Sequence, residues 1–277
     1  MCRWLAYSGS PVPLSEVLYT PIRSFIYQSL HSKLGAETTN GDGFGIGWYD
    51  TRETPGLFRS VEPAWNDSNL REVSNHVTSP LFFAHIRAAI GSAVQRTNCH
   101  PFRYGTRLWM HNGYIDGFAK YKRDLAFAVD PSLYPLIAGT TDSELIFYLA
   151  LTFGLEDDAP DAVAKAIGFV EDRGRKAGID YPFQGTIMTS DGDSMWAFRY
   201  SSEGKSRTLF FTRQVPALRE EYPDEPILRE VSADARLVVS EPIGNLPGAW
   251  IEMPEGSCGV VQGGDDELRP FAPMLPA

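Results

Sequence analysis

The order in which two hydrophobic periodicities appear along this 277-residue chain restricts its fold more than any other feature. Segment 2–7 reads as a short strand, and apolar residues alternate in segments 40–50, 80–89 and 106–112, as half-buried strands do. A helical pattern takes over at 141–153 and 160–176. Strand-forming segments then return at 184–190, 194–200, 207–212, 236–240 and 257–262. Strands, then helices, then strands imply an α+β chain with mixed sheets and segregated helices, not a doubly wound parallel sheet.

The segments have internal detail. Phe44, Ile46 and Trp48 share one strand face, and Gly43, Gly45 and Gly47 the other. Alternating glycines mark either tight sheet packing or close approach of a ligand. Phe82, Ala84, Ile86 and Ala88 line up opposite Phe83, His85 and Arg87. Leu108 and Met110 align with Asn112, where Asn112-Gly113 signals a turn that ends the strand. Thr141-Asp142-Ser143-Glu144 fits a capping box, and the run from Leu145 to Phe153 is apolar enough to be buried against a sheet. No internal repeat is present, and a single domain over 1–277 is expected. The stretch 214–230, with Pro216, Pro223 and Pro226, reads as a surface excursion, and 269–277 as an irregular tail.

Composition removes several function classes. A net charge of -10 disfavours nucleic acid and anionic lipid as partners. No apolar run approaches the ~20 residues of a membrane span, and the N-terminus has no secretory pattern. Three widely spaced cysteines, Cys2, Cys99 and Cys258, argue against a disulfide framework and for a reducing, cytoplasmic setting. Gly41-Asp42-Gly43 lacks the third glycine and the following helix of a phosphate loop.

The chain opens Met1-Cys2-Arg3-Trp4-Leu5-Ala6-Tyr7. Methionine is removed when a small residue follows, and removal would give Cys2 both a thiol nucleophile and an α-amine base of pKa near ~8. Four further polar features accompany it: Arg87 at a strand end, Asn112-Gly113, Asp142 in a helix first turn, and His100 after Asn98-Cys99. Each has a plainer reading. Arg87 alone reads as a buried ion-pair partner, Asp142 as an acid matched to the helix dipole, and Asn112-Gly113 as a hairpin turn. His85 and His100 read as structural, Cys99 as a small buried side chain, and Arg3 and Trp4 as core.

Together, Met1-Cys2, His85-Ile86-Arg87, Asn98-Cys99-His100-Pro101-Phe102, His111-Asn112-Gly113 and Thr141-Asp142-Ser143-Glu144 resemble the glutaminase domain of class II glutamine amidotransferases, which are N-terminal-nucleophile hydrolases. The resemblance is dense over residues 2–200. The opening Cys2-Arg3-Trp4-Leu5-Ala6-Tyr7, the run Gly41 to Trp48, Ser240-Glu241-Pro242 and the run Trp250 to Val261 are similar to its stand-alone branch.

The resemblance implies a four-layer αββα sandwich, two stacked, mainly antiparallel sheets flanked by helices. It implies that Cys2 attacks the carboxamide of glutamine or of a larger γ-glutamyl amide, with its α-amine moving the proton. Asn112 and the Gly113 N–H would form the oxyanion hole, glycine keeping the approach clear. Arg87 would bind the substrate α-carboxylate in a bidentate pair and Asp142 its α-ammonium. No metal or organic cofactor is implied, and released ammonia would pass to water or to a partner synthase. One departure stands out. The family has a threonine three residues after the arginine, where this chain has Ile90, and that favours a γ-glutamyl substrate other than free glutamine. A non-catalytic binding module that kept the fold is the alternative from another class. A metal site built from His85, Cys99, His100 and His111 lacks the usual ligand spacings, and Cys2 lacks the flanking residues of a papain-like protease.

Overall fold

The computed structural model describes residues 2–31, 39–89, 91–262 and 265–276. The expectations for Met1 and Ile90 lie outside the described residues. In chain order the elements are β1 (Arg3–Pro13), α1 (Leu14–Leu18), α2 (Phe25–Gln28), β2 (Phe44–Tyr49), β3 (Gly56–Ser60), α3 (Ser68–His76) and β4 (Thr78–Ile86). There follow β5 (Phe102–Tyr104), β6 (Arg107–Ile115), α4 (Phe118–Phe127), α5 (Asp142–Thr152), α6 (Ala159–Lys176), β7 (Phe183–Ser190) and β8 (Ser194–Ser201). The last third contains β9 (Phe210–Thr212), α7 (Val215–Glu221), α8 (Pro226–Glu230), β10 (Arg236–Val239), β11 (Trp250–Glu252), β12 (Ser257–Gln262) and β13 (Asp265–Pro270).

The described strands pair into two sheets, ordered β11-β9-β10-β1-β4-β2-β3 and β13-β12-β8-β7-β6-β5. The pairings are antiparallel. Successive side chains on a strand point to opposite faces, so each central strand supplies two cores. Phe82, Ala84 and Ile86 of β4 join Leu5, Tyr7, Phe44 and Ile46 under α1, α2 and α3. Leu81 and Phe83 point the other way and meet Trp4, Ala6, Leu108, Met110 and Met188 between the sheets. Trp109 and Ile115, on the outer face of β6, pack with Leu125, Phe147 and Ile167 of α4, α5 and α6. The layers are therefore helix, sheet, sheet, helix, the expected αββα sandwich. No helix among the described residues is long and apolar enough to cross a membrane.

The glycines of β2 face the second sheet. A Cβ on Gly45 would lie 2.3 Å from the His100 carbonyl oxygen, and one on Gly47 3.0 Å from the Leu108 methyls. They answer to sheet packing.

Three local expectations change. Asn112-Gly113 does not end its strand: β6 continues to Ile115 because both residues stay in the ladder with β7, as Asn112–Thr186 and Gly113–Gly185 pairs. The stretch 214–230 is not only a surface excursion, since α7 and α8 turn Val215, Leu218 and Leu228 into buried positions. Arg269 and Pro270 belong to β13, and the chain beyond them lies along α6, with Met274 N–H donating to the Ala164 carbonyl at 3.1 Å.

Candidate active site

Strand β1 runs between β10 and β4, with Arg3 opposite Ile86. Cys2 therefore lies beside the chain just past β4. Its sulfur accepts from Ala88 N–H at 3.3 Å and is 3.4 Å from the Ala88 carbonyl oxygen. Burial pushes the Cys2 thiol up, against the Ala88 N–H and the charges of Arg87 and Arg3, which pull it down. Arg3 is itself held by a buried ion pair with Glu241 at 2.8 Å, which fixes the start of the strand.

The period of two on β6 puts Asn112 on the same inward face as Leu108 and Met110, pointing across the sheet interface. Its Nδ2 donates to the Cys2 carbonyl at 3.1 Å. Its Oδ1 is 3.0 Å from Nε2 of His85, which shares the inward face of β4 with Leu81 and Phe83. The two bonds together orient the amide and place the imidazole proton on Nε2, donating to Oδ1. His85 is fully buried, and that burial lowers its pKa to about 3, so the ring is neutral.

Gly113 pairs directly with Gly185. A Cβ at 113 would lie 2.0 Å from the Gln184 carbonyl oxygen and 2.6 Å from His111 Nε2. Glycine here answers first to the neighbouring strand and the His111 ring, a nearer cause than clearance for substrate. His111 bonds Ser143 Oγ through Nδ1 at 2.9 Å, and burial lowers its pKa.

Arg87 is 3% exposed. Its Nη2 donates to Ser92 Oγ at 2.7 Å and the Ala93 carbonyl at 3.1 Å, and its Nη1 to the Asp42 carbonyl at 3.4 Å. Among the described residues no carboxylate pairs with it, contrary to the plainer reading of a structural ion pair. Asp42 holds the same segment from below, its Oδ2 accepting from Ala89 N–H at 2.8 Å. Asp142 opens α5, whose N-cap Thr141 accepts from Glu144 N–H at 3.2 Å. Only half of the capping box forms, because the Glu144 carboxylate turns to the N–H groups of Ala138 and Gly139. Asp142 Oδ2 accepts from Ile115 N–H at 2.8 Å and Oδ1 from Ser143 N–H at 2.8 Å, which ties the helix start to the end of β6.

Cys2, Arg87, Asn112, Gly113 and Asp142 all line one cavity of about 160 Å³. All five residues singled out from the sequence are thus brought together. Ser92, Tyr114 and Arg207 also line it and were not singled out as site residues. Ser92 sits in the segment after Arg87 and could have been chosen as a polar neighbour; nothing around Arg207 in the sequence marks it. Asn98 spans Ala93 and Thr140, donating to the Ala93 carbonyl at 3.0 Å and accepting from Thr140 N–H at 2.8 Å. His100 packs between His85 and Phe102 at ring separations of 4.3 and 4.4 Å. Cys99 is buried with its sulfur 3.4 Å from the Ser60 carbonyl oxygen. Among the described residues no group of three His, Cys, Asp or Glu side chains is placed to hold a metal ion.

A family model described as class-II glutamine amidotransferases matches residues 14–272. The chain belongs to the class-II glutamine amidotransferases. Among relatives of this amidotransferase, a Saccharomyces cerevisiae protein described as "Probable glutamine amidotransferase DUG3" is 33% identical over 93% of this chain and 80% of its own length. The γ-glutamyl-hercynylcysteine sulfoxide hydrolase of Mycolicibacterium smegmatis is 28% identical over 70% of this chain and 81% of its own. A solved glutamine aminotransferase class-II domain protein from Silicibacter pomeroyi superposes with a TM-score of 0.74 at 33% identity, covering 98% of this chain and all of the other. The glutamine phosphoribosylpyrophosphate amidotransferase of B. subtilis shares the fold at 14% identity and a TM-score of 0.66, this chain spanning 50% of it. The family match starts after Cys2, so the case for that residue rests on its place in the cavity.

Proposed function

We propose that this amidotransferase hydrolyses a γ-glutamyl amide, either glutamine or a larger γ-glutamyl conjugate, with Cys2 as the nucleophile once Met1 is removed. The observation that carries this reading is the meeting of Cys2 with Asn112, Gly113, Arg87 and Asp142 on one cavity. The relatives support it, since one is described as a glutamine amidotransferase and another as a hydrolase of a γ-glutamyl conjugate.

Burial holds the Cys2 thiol protonated at rest, so its proton must leave as the sulfur attacks. His85 cannot receive it, because its Nε2–H is committed to Asn112 and its pKa is about 3. The α-amine freed at Cys2 is the base at hand. It takes the thiol proton as the sulfur–carbon bond forms. The oxyanion is met by Asn112 Nδ2–H and Gly113 N–H, donors that contribute about 3 kcal/mol each in such sites. The ammonium then returns its proton to the leaving nitrogen as the carbon–nitrogen bond breaks. Water adds to the thioester, losing a proton to the amine, and glutamate departs with the thiol restored. Arg87 attracts the substrate α-carboxylate. Three of its five N–H groups already serve Ser92, Ala93 and Asp42, so it offers charge more than a bidentate fork. Asp142 faces the α-ammonium. The free thiols of Cys2, Cys99 and Cys258 suit a reducing cytoplasm.

The test is glutamate release from glutamine and a panel of γ-glutamyl amides. Met1-free protein is expected to release glutamate from at least one, and Cys2→Ala from none, with an unchanged melting temperature. Release that survives in Cys2→Ala contradicts the mechanism; no release from any compound by the processed protein leaves a binding module.

A further inference from the structure

Arg207 lies in the connection from β8 to β9 and lines the cavity that contains Cys2. The chain has 35 acidic residues against 25 Lys and Arg, yet among the described residues the Arg207 guanidinium meets no carboxylate and donates no hydrogen bond. Its backbone is nonetheless fixed on both sides. The Lys205 carbonyl accepts from Gln184 Nε2 at 2.7 Å, Ser206 N–H donates to Glu255 Oε2 at 3.0 Å, and Thr208 Oγ1 donates to the Ser240 carbonyl at 3.0 Å. A half-buried guanidinium that lines a cavity and pairs with no carboxylate among the described residues is open to an external anion.

The sheet order says which part of the substrate that anion belongs to. Cys2 precedes the strand that lies between β4 and β10. On the β4 flank stand Arg87 and Ala88. On the β10 flank stands Ser240, whose N–H donates to the Trp4 carbonyl at 3.1 Å and whose own carbonyl holds Thr208. Arg207 thus reaches the cavity from the flank of Cys2 opposite Arg87. If the glutamyl end of the substrate lies at Arg87 and its carbonyl at Cys2, whatever is attached to the amide nitrogen extends toward Arg207.

We infer that Arg207 is a specificity residue that binds a carboxylate on the leaving group, so that the preferred substrates are γ-glutamyl amino acids or short γ-glutamyl peptides with a free C-terminus. This rests on the γ-glutamyl amide reading above. Ammonia, the leaving group of glutamine, leaves Arg207 without a partner. A C-terminal carboxylate supplies one through charge-assisted hydrogen bonds. Tyr114, exposed at the same cavity and opposite Gln184 in the ladder, borders the space between.

The test measures binding to Cys2→Ala protein freed of Met1, by calorimetry. The probes are γ-glutamylglycine, γ-glutamylglycylglycine and the C-terminal amide of each. At one length or the other the free acid is expected to bind about tenfold more tightly than its amide, as a single charged contact provides. Arg207→Ala is expected to bring acid and amide within about twofold of each other, and Arg207→Lys to keep part of the preference. Equal affinity for acid and amide at both lengths, or an undiminished preference in Arg207→Ala, overturns the inference. Glutamate release from the same compounds by protein with Cys2 intact tests hydrolysis separately, so failure of one is distinguishable from failure of the other.

Discussion

The two walls of the cavity beside Cys2 are held by different means. The Asn112–Gly113 wall is part of a strand, paired residue by residue with β7, and its amide is clamped between His85 and the Cys2 carbonyl. The Arg87 wall has just left its strand, and it is held by the Asp42 carboxylate on Ala89 N–H and by the contacts of the guanidinium with Ser92 and Ala93. Groups proposed to act on the transition state stand on the sheet, where a shift of one would disturb the whole ladder. Arg87, proposed to recognise the substrate α-carboxylate, stands on a loop, whose adjustment costs little, whereas Asp142 is fixed at the start of α5. This division leads to a graded set of expected effects.

The largest concerns the strand wall. Asn112→Ala is expected to lower kcat by about 10²–10³-fold with little change in KM, because the donor acts on charge that develops only in the transition state. A rise in KM at constant kcat would place Asn112 in ground-state binding. Arg87→Ala is expected to act in the opposite sense, raising KM by about 10–100-fold and changing kcat less, as loss of uniform binding does. Steady-state kinetics of the two variants on one substrate would erase the contrast if both fell in the same parameter.

His85 sharpens the comparison through stability. Its pKa near 3 in the folded chain lies below the usual 6.5, so the unfolded chain takes up a proton that the folded one refuses. Stability from this group is complete above pH 6.5 and is lost as pH falls toward 3, at up to about 1.4 kcal/mol per pH unit. His85→Gln, which can still donate to Asn112, is expected to flatten that slope in denaturant titrations and keep most of kcat. His85→Phe leaves Asn112 Oδ1 unpaired and is expected to cost about 1–3 kcal/mol and lower kcat as well. The smallest effect belongs to the loop wall: Asp42→Ala frees Ala89 N–H and is expected to raise KM about twofold to fivefold with kcat unchanged, a net hydrogen bond contributing about 1 kcal/mol.

Much of this arrangement was legible in the residues. Alternation located β2 and β4 and the faces of Phe44, Ile46, Phe82 and Ala84, because a central strand that packs on both sides leaves a strong pattern. The five site residues were found as a series of short motifs. What escaped was set by distant partners. Asn112-Gly113 has the local chemistry of a turn, and only the facing Thr186-Gly185 segment keeps it extended. Leu218 and Leu228 lie on either side of Pro223 and Pro226, so their burial depended on the neighbouring Trp250 and Ala249. The clamp of His85 on Asn112 and the approach of Arg207 both join residues tens of positions apart, across a sheet interface that no single segment encodes.

The central claim, that Cys2 is the attacking group and begins the mature chain, is tested most directly by mass spectrometry of the N-terminal peptide after acid quenching of protein turning over glutamine or a γ-glutamyl peptide. Expected is a peptide that starts at Cys2 and bears a glutamyl group on it. A peptide that retains Met1 throughout turnover, or a glutamyl group found on Cys99 or Cys258 instead, would contradict it.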